Sequence, residues 1–451
     1  MNFNAPEFLF FFLPITLLVY HTVGPHLRIR VLLVASLIFY AWSGLLPFAL
    51  MVATVVWGWL LALYQPVRQR AWSVAIAAAV PILLLWLFKY VAFTASLVGI
   101  PLSHLGPLEF FALITVPAGI SFYTFKIVAY NVDVYDGAIE RETSLRRLLT
   151  FISFFPPLIA GPILRYRQLA PQLRKLETDP QLKIDWREAL KLFVFALAAK
   201  IFIADILRLM HERYSVATGG TQLDALFSIL SYSFVIYFDF WSYSVMAIGL
   251  GRMLGVEIPR NFLEPYLSFS PKEFWRRWHV TLSFWLRDYV YLKMGGRERY
   301  VRNILIIFVL CGLWHGAGLN FIVWGAYHAA LVIGYHWLQP WWDRLPKGVG
   351  IALTFALVSF GWPLFYLDLS NYLTLMGALI ATKSAVAPVF GAQHWTYLAA
   401  VAFLVFVLRE DRLLLLAKDQ AITGSPVVQG TVFVATLAFL SFGRNFIYFQ
   451  F

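Results

Sequence analysis

The sequence predicts an all-α protein that crosses a membrane many times. Of its 451 residues, 60% are hydrophobic and only 13% are charged. Soluble domains carry about a quarter of charged residues, so 24 acidic and 36 basic side chains could not coat a soluble protein of this length. Lipid is therefore the expected solvent, and each apolar run of about 20 residues is a candidate transmembrane helix.

The apolar runs predict roughly eleven crossings or part-crossings within one integral-membrane domain that covers residues 1–451. The first run, residues 1–20, lacks the basic start and the Ala-x-Ala cleavage site of a signal peptide, so we interpret it as a retained helix. The others lie at about 30–45, 48–64, 71–93, 190–210, 224–250, 303–315, 319–338, 350–367, 395–408 and 430–450.

The basic residues indicate the orientation of these helices. Most of the 36 Lys and Arg residues fall in loops on one side, namely 21–30, 64–71, 136–148, 165–191, 251–303, 339–349 and 409–419. Because cytoplasmic loops are enriched in Lys and Arg, both termini are expected outside, on the side of the membrane opposite the cytoplasm. The net charge of +12 then favours anionic phospholipid over nucleic acid as a partner. The single cysteine, Cys311, forbids an intramolecular disulfide.

Two segments are too irregular to be simple spans. Residues 151–173 contain Pro156-Pro157 and Gly161-Pro162, which break any helix, so the chain is expected to enter the membrane there and return as a re-entrant hairpin. Residues 261–296 alternate aromatic and charged side chains, which predicts a helix that lies at the interface and dips inward.

Few ionisable side chains lie deep in apolar segments, and such residues are candidates for function. They are Lys126, Lys200, Asp205, Asp239, His315 and His328. Lys200 and Asp205 are expected to pair with each other or to snorkel to the interface. Asp239 cannot stay ionised alone, so we expect it to meet an arginine from residues 276–302.

His315 stands among Gly312, Gly316 and Gly318, beside Trp314. Glycines let another part of the chain or a ligand approach closely, and a neutral histidine in such a cavity can act as a general base for an alcohol or thiol. An imidazole that only bonds helices together explains the pattern about equally well. His328 is more typical of such a packing histidine. A thiol–imidazole pair between Cys311 and His315 is disfavoured.

His279 follows Arg276 and Arg277 in the interfacial segment. A helical spacing of three places Arg276 and His279 on one face, where they could hold the phosphate of a CoA-type donor or a lipid headgroup. The sequence contains no Gly-x-Ser-x-Gly, Walker, His-Glu-x-x-His or Cys-x-x-Cys motif, so no metal site and no resident cofactor are expected.

Five ordered blocks resemble the membrane-bound O-acyltransferase (MBOAT) family, in particular its bacterial alginate O-acetyltransferase branch. They are residues 117–137, 155–166, 260–296, 313–328 and 446–451. The resemblance implies a ring of transmembrane helices, with re-entrant and interfacial helices, around a central tunnel. It makes His315 and His279 the catalytic histidines. The side chains expected to bind the donor or line the tunnel are Arg276, Arg277, Trp278, Trp314, Asp239 and Asp288.

The same resemblance implies that acetyl-CoA donates an acetyl group, which crosses the inner membrane and reaches a polysaccharide hydroxyl, often through a periplasmic partner acyltransferase. One departure leaves the acceptor and that partner open. Relatives commonly read Asp-Phe-Ser-Gly-Tyr-Ser-Asp where this chain has residues 239–245 ending in Val245.

Two alternatives remain at this point. The first is D-alanyl transfer from an acyl-carrier protein, a reaction carried out by members of the same family. A transporter or flippase of a lipid-linked sugar would also need a polar tunnel, but transporters usually show two related halves, and residues 151–173 have no counterpart in the C-terminal half.

Overall fold

The computed structural model describes residues 1–64, 71–216, 219–380, 387–409, 425–440 and 446. Within these ranges every regular element is helical and no strand occurs, which confirms the all-α prediction. The predicted loops at 64–71 and 409–419, much of the run at 430–450 and most of the block at 446–451 lie outside the described residues. The chain divides into two compact units, Met1–Leu190 with Met246–Pro259 and Lys191–Val245 with Arg260–Phe451.

The helices follow the apolar runs of the sequence. They are α1 Leu13–Thr22, α2 Pro25–Ala41, α3 Leu45–Tyr64, α4 Ala71–Lys89, α5 Val91–Leu97, α6 Glu109–Leu113, α7 Ile120–Tyr135, α8 Leu145–Ser153, α9 Tyr166–Thr178, α10 Trp186–Ala199, α11 Ile206–His211, α12 Gln222–Met253, α13 Pro271–Arg277, α14 Val280–Leu286, α15 Tyr300–His315, α16 Leu319–Trp342, α17 Lys347–Gly361, α18 Leu369–Ala378, α19 Ala392–Phe403 and α20 Pro426–Ala438.

Five helices in the described ranges are long and apolar enough to cross a membrane. They are Leu45–Tyr64, Trp72–Lys89, Gln222–Met253, Leu319–Trp342 and Lys347–Phe365. Shorter apolar helices cover Phe8–Thr22, Ala392–Leu408 and Pro426–Ala438. The chain is thus a multi-pass membrane protein, while the number of eleven crossings, their ring and the tunnel stay predictions.

In the first unit, the predicted break at the prolines is confirmed. Helix α8 starts at the Ser144 cap, whose hydroxyl accepts from the Arg147 amide at 3.4 Å, and it ends before the Pro156-Pro157 pair. Residues 154–165 then run without a helix and are buried throughout. Helix α9 begins at Tyr166, whose hydroxyl donates to buried Glu142. Re-entry of this segment into a membrane stays a prediction.

In the second unit, α15 and α16 form a hairpin whose backbones touch. A Cβ on Gly312 would lie 2.1 Å from the Phe321 carbonyl oxygen, and a Cβ on Gly325 would lie 2.3 Å from the Phe308 carbonyl oxygen. Only glycine leaves room for such an approach, which is the usual way in which membrane helices pack closely. Gly312, one of the glycines near His315, therefore allows the close contact with α16.

The interfacial segment is not one helix, contrary to the prediction. It contains a 3-10 turn at Pro265–Leu267 and two short helices, α13 and α14, followed by a π-helical turn at Arg287–Tyr291. The chain leaves the helical conformation between α13 and α14, at Trp278 and His279. Residue spacing along this segment consequently does not report a shared helix face.

We expect Gly325→Ala to destabilise the protein, because the added methyl group must push α15 and α16 apart. Overpacking of this kind costs about 1–3 kcal/mol in free energy of unfolding. Gly334→Ala is the matched control, since it lies on the same helix and its added Cβ meets nothing within 4 Å. Thermal melting of both variants in detergent checks this expectation, and equal melting temperatures would contradict the close packing.

Candidate active site

His279 occupies an unusual backbone position. Helix α13 ends at Arg277, Trp278 is extended, and His279 has φ 45° and ψ 53°, in the left-handed region. A residue other than glycine pays about 1–3 kcal/mol to adopt such a conformation, and strain of this kind is found mainly where function needs it. The turn buries the imidazole, which is 1% exposed, against the ring of Phe240 with centroids 4.6 Å apart.

A buried asparagine, Asn261, holds this turn in place. Its carbonyl oxygen accepts a hydrogen bond from the Val280 amide at 2.9 Å, and its side-chain Oδ1 accepts one from the Thr281 hydroxyl at 2.6 Å. Its Nδ2 donates to Ser244 Oγ on α12 at 3.3 Å. The two residues that follow His279 are therefore tied to α12 through Asn261, which maintains the strained conformation.

His315 lies close to His279 inside an aromatic enclosure. It is the last residue of α15 and is 2% exposed. Its ring centroid lies 6.4 Å from that of His279, and Trp314 contacts both rings, at 4.8 Å from His315 and 5.6 Å from His279. The rings of Trp324 and Phe365 complete the wall around His315, at 5.3 and 4.9 Å. Two imidazoles that lie this close together among aromatic rings can both contact one reacting group.

A basic pocket lies beside this enclosure. Its cavity measures about 530 Å³, within the usual range for small-molecule sites. Its cations are Lys272, Arg276, Arg287 and Arg297, and its apolar lining includes Trp275, Phe308, Cys311 and Val332. Burial lowers the pKa of Lys272, and the charges of Arg276 and Arg297 lower it further. Three cations crowded in this way favour the binding of an anion.

Aromatic rings separate the basic pocket from His315. Trp275 lines the pocket and contacts His328 and Trp324, with ring centroids 5.0 and 5.6 Å away. Trp324 in turn contacts His315 at 5.3 Å. Only two ring contacts therefore lie between the cationic pocket and the candidate base. An anionic group held in the pocket could place an attached apolar arm at the histidines.

Comparison with known proteins identifies the family. The profile of the MBOAT, membrane-bound O-acyltransferase family matches residues 138–373, which is more than half of the chain and includes both histidines. The chain belongs to the MBOAT family. It is therefore an acyltransferase of the multi-pass membrane type, and the family assignment favours acyl transfer over the flippase alternative.

Relatives of this MBOAT protein are named for different acceptors. A protein named probable alginate O-acetylase, from Pseudomonas syringae pv. tomato, is 38% identical over 389 residues, 81% of this chain and 72% of its own length. The peptidoglycan O-acetyltransferase of Helicobacter pylori is 32% identical over 80% of this chain and 76% of its own. The teichoic acid D-alanyltransferase of Bacillus subtilis is 32% identical over 55% of this chain and 68% of its own.

The arginines are arranged differently from the sequence prediction. Because the helix ends before His279, Arg276 and His279 do not share a helix face; Arg276 is exposed and lines the basic pocket, whereas His279 is buried. Arg277 pairs with Glu273 at 2.5 Å. Asp288 pairs with Arg287 at 2.6 Å. Trp278 is buried against Trp362, with ring centroids 4.7 Å apart.

The expected partner of Asp239 is also corrected. Asp239 pairs with Lys200 at 2.9 Å instead of with an arginine of residues 276–302. Lys200 pairs at the same time with Asp205 at 2.5 Å, as the sequence predicted, and all three side chains are at most 1% exposed. Lys200 is the first and Asp205 the last residue of a π-helical turn that lies between α10 and α11. Sequence spacing pairs residues along one helix, but the choice of a partner on α12 depends on packing.

Sequence reasoning missed Asn261, Lys272 and Arg297. Lys272 stands four residues before Arg276, one helical turn away, and this spacing was an available signal. Asn261 and Arg297 carry no such signal, because they meet their partners through turns whose course only the folded chain defines.

We expect Thr281→Val to destabilise the turn at His279. The substitution preserves the shape of the side chain but removes the hydroxyl that donates to Asn261 Oδ1 at 2.6 Å. That oxygen keeps only the longer bond from the Thr281 amide at 3.4 Å, and the loss of one hydrogen bond costs about 0.5–1.5 kcal/mol. Melting temperature and acyl-transfer rate should fall together, while Thr281→Ser retains the hydroxyl and both properties. A Thr281→Val protein as stable and as active as the wild type would show that Asn261 does not hold the turn.

Proposed function

We propose that this protein moves an acetyl group from a cytoplasmic thioester donor for the O-acetylation of an exopolysaccharide or cell-wall glycan at the bacterial inner membrane. The observation that carries the proposal is the pair of buried histidines, 6.4 Å apart, beside a basic pocket. The names of relatives that are 38% and 32% identical, an alginate O-acetylase and a peptidoglycan O-acetyltransferase, support acetyl as the group and a glycan as the acceptor.

In this proposal His315 is the general base. Neutral His315 takes the proton of the acceptor hydroxyl as the hydroxyl oxygen attacks the thioester carbonyl carbon. The carbon–sulfur bond then breaks, and the protonated imidazole returns the proton to the leaving thiolate. His279 lies close enough to contact the same reacting group and to orient it. The rings of Trp314, Trp324 and Phe365 exclude water, so the acyl group is transferred and not hydrolysed.

The basic pocket suits a donor whose thioester sits on a phosphate-bearing carrier. Arginine and lysine form strong charge-assisted hydrogen bonds with phosphate oxygens. Lys272, Arg276 and Arg297 would hold the phosphates of acetyl-CoA, while the apolar inner wall at Trp275 and Phe308 would receive the pantetheine arm. The same chemistry applies to a phosphopantetheine carried by an acyl-carrier protein.

D-alanyl transfer is the second candidate. It is favoured by the 32% identity over 267 residues with the teichoic acid D-alanyltransferase of Bacillus subtilis. Acetyl transfer ranks first because the relatives with greater coverage are named for acetylation. In either case we propose both termini in the periplasm, a periplasmic acyltransferase as partner and anionic phospholipid around the basic loops.

We expect His315→Gln to lower the rate of acetyl transfer by about 10²–10⁴-fold, the range by which a general base accelerates such reactions. The assay uses purified protein in proteoliposomes, acetyl-CoA, an alginate oligosaccharide as the acceptor, and release of the CoA thiol as the measured signal. His104→Gln is the control, because His104 lies exposed in the 3-10 turn at Leu102–His104 of the first unit. Full activity of His315→Gln would exclude His315 as the base.

We expect Arg297→Gln and Lys272→Gln each to raise KM for acetyl-CoA by about tenfold, since a hydrogen bond to a charged group contributes about 1.5–3 kcal/mol. The change in kcat should be small because these cations do not touch the reacting atoms. Arg344→Gln serves as the control, because Arg344 is exposed and stacks on Trp341. An unchanged KM in both pocket variants would place the donor elsewhere.

A further inference from the structure

Two buried side chains between the basic pocket and His315 carry polar hydrogens that nothing in the described part of the chain accepts. Trp324 and His328 are both 0% exposed. The indole Nε1 of Trp324 and both ring nitrogens of His328 lack a hydrogen-bond partner among the described residues. More than nine in ten buried polar groups in proteins are paired, so a cluster of this kind calls for a ligand that pairs with it.

The two side chains share one face of α16. They are four residues apart, which places them one above the other on a helix. Their rings are in contact, with centroids 4.8 Å apart. Trp324 contacts His315 and His328 contacts Trp275 of the basic pocket, at 5.3 and 5.0 Å. The polar hydrogens therefore lie between the place where a donor's phosphates would bind and the base that would act on its thioester.

A thioester at this location needs hydrogen-bond donors. When an acceptor oxygen attacks the carbonyl carbon, the carbonyl oxygen becomes an oxyanion, and donors held ready in a water-excluded site stabilise it strongly. Indole offers one N–H, and a neutral imidazole offers a second.

We propose that Trp324 Nε1 and His328 form the oxyanion site of this enzyme, donating hydrogen bonds to the carbonyl oxygen of the acyl thioester. The inference rests on the proposed acyl transfer and assigns a binding site to the thioester carbonyl group. As the acceptor's carbon–oxygen bond forms, the acceptor proton passes to His315 and the carbonyl electrons move onto the oxygen held by the two N–H groups. They return as the carbon–sulfur bond breaks, and the thiolate leaves with the proton from His315.

Replacing Trp324 or His328 by phenylalanine removes the N–H group but keeps an aromatic ring, and it should slow catalysis. In proteoliposomes with acetyl-CoA, His328→Phe and Trp324→Phe are each expected to lower kcat by about 10²–10³-fold, the cost of losing one oxyanion donor. KM should change little. His328→Gln keeps an N–H group and should recover part of the rate. His104→Phe and Trp337→Phe are the controls, because both residues lie exposed and Trp337 is on the same helix as Trp324 and His328.

Binding of stable analogues separates carbonyl recognition from packing. A CoA analogue with a methyl ketone in place of the thioester keeps the carbonyl, and its saturated counterpart lacks it. Wild-type protein should bind the ketone at least tenfold more tightly than the saturated analogue, and His328→Phe should lose that preference. If His328 had only a structural role, His328→Phe would weaken the binding of both analogues equally or would leave both unchanged.

The outcomes distinguish this inference from the function on which it rests. Full activity of His328→Phe, or an unchanged ketone preference in that variant, overturns the oxyanion site; His315→Gln being inactive in the same assay shows that the proposed acyl transfer still stands. Equal binding of the two analogues by wild-type protein also overturns the site. Failure of wild-type protein to bind any CoA analogue or to turn over acetyl-CoA overturns both proposals.

Discussion

The backbone contact between α15 and α16 determines the geometry of the site. Gly312 and Gly325 bring the two helices so close that any side chain at either position would strike a carbonyl oxygen of the opposite helix. This contact sets the end of α15, where His315 lies, against the face of α16 that carries Trp324 and His328. In lipid, where no hydrophobic effect drives helices together, such close packing supplies the stability. The position of His315 relative to Trp324 therefore depends on the absence of a side chain at Gly312 and Gly325.

A second constraint is the division between charge and aromatic surface. The cations of the basic pocket lie at its exposed side, where Arg276 is in contact with solvent, whereas the histidines lie behind tryptophan and phenylalanine rings. A charged group is costly to bury and an imidazole less so. In the proposed reaction, this arrangement would let an anionic carrier stay at the rim of the pocket while its thioester reaches the histidines. Such a separation suits a reaction in which water would compete as the acceptor.

The sequence predicted local features of the chain better than it predicted which residues meet across helices. The helical class, the break at Pro156-Pro157 and the pair of Lys200 with Asp205 depend on local rules, and the structure confirms them. The partner of Asp239 was wrong because several cations were compatible with its charge and only packing selects one. The shared face of Arg276 and His279 was wrong because the helix stops between them, and a periodic rule cannot detect a left-handed residue that is not glycine.

By itself the sequence determined that the chain is helical and embedded in membrane, that it belongs with the O-acyltransferases, and that His279 and His315 are its notable histidines. These properties follow from composition and from motifs that are continuous in the chain. Only the tertiary structure decided that the two imidazole rings lie 6.4 Å apart and that Lys272 and Arg297 line the same pocket. It also decided that His328 contacts Trp275, a residue of the pocket wall. Those facts depend on how turns and close-packed helices bring distant residues together, and no local pattern encodes such distances.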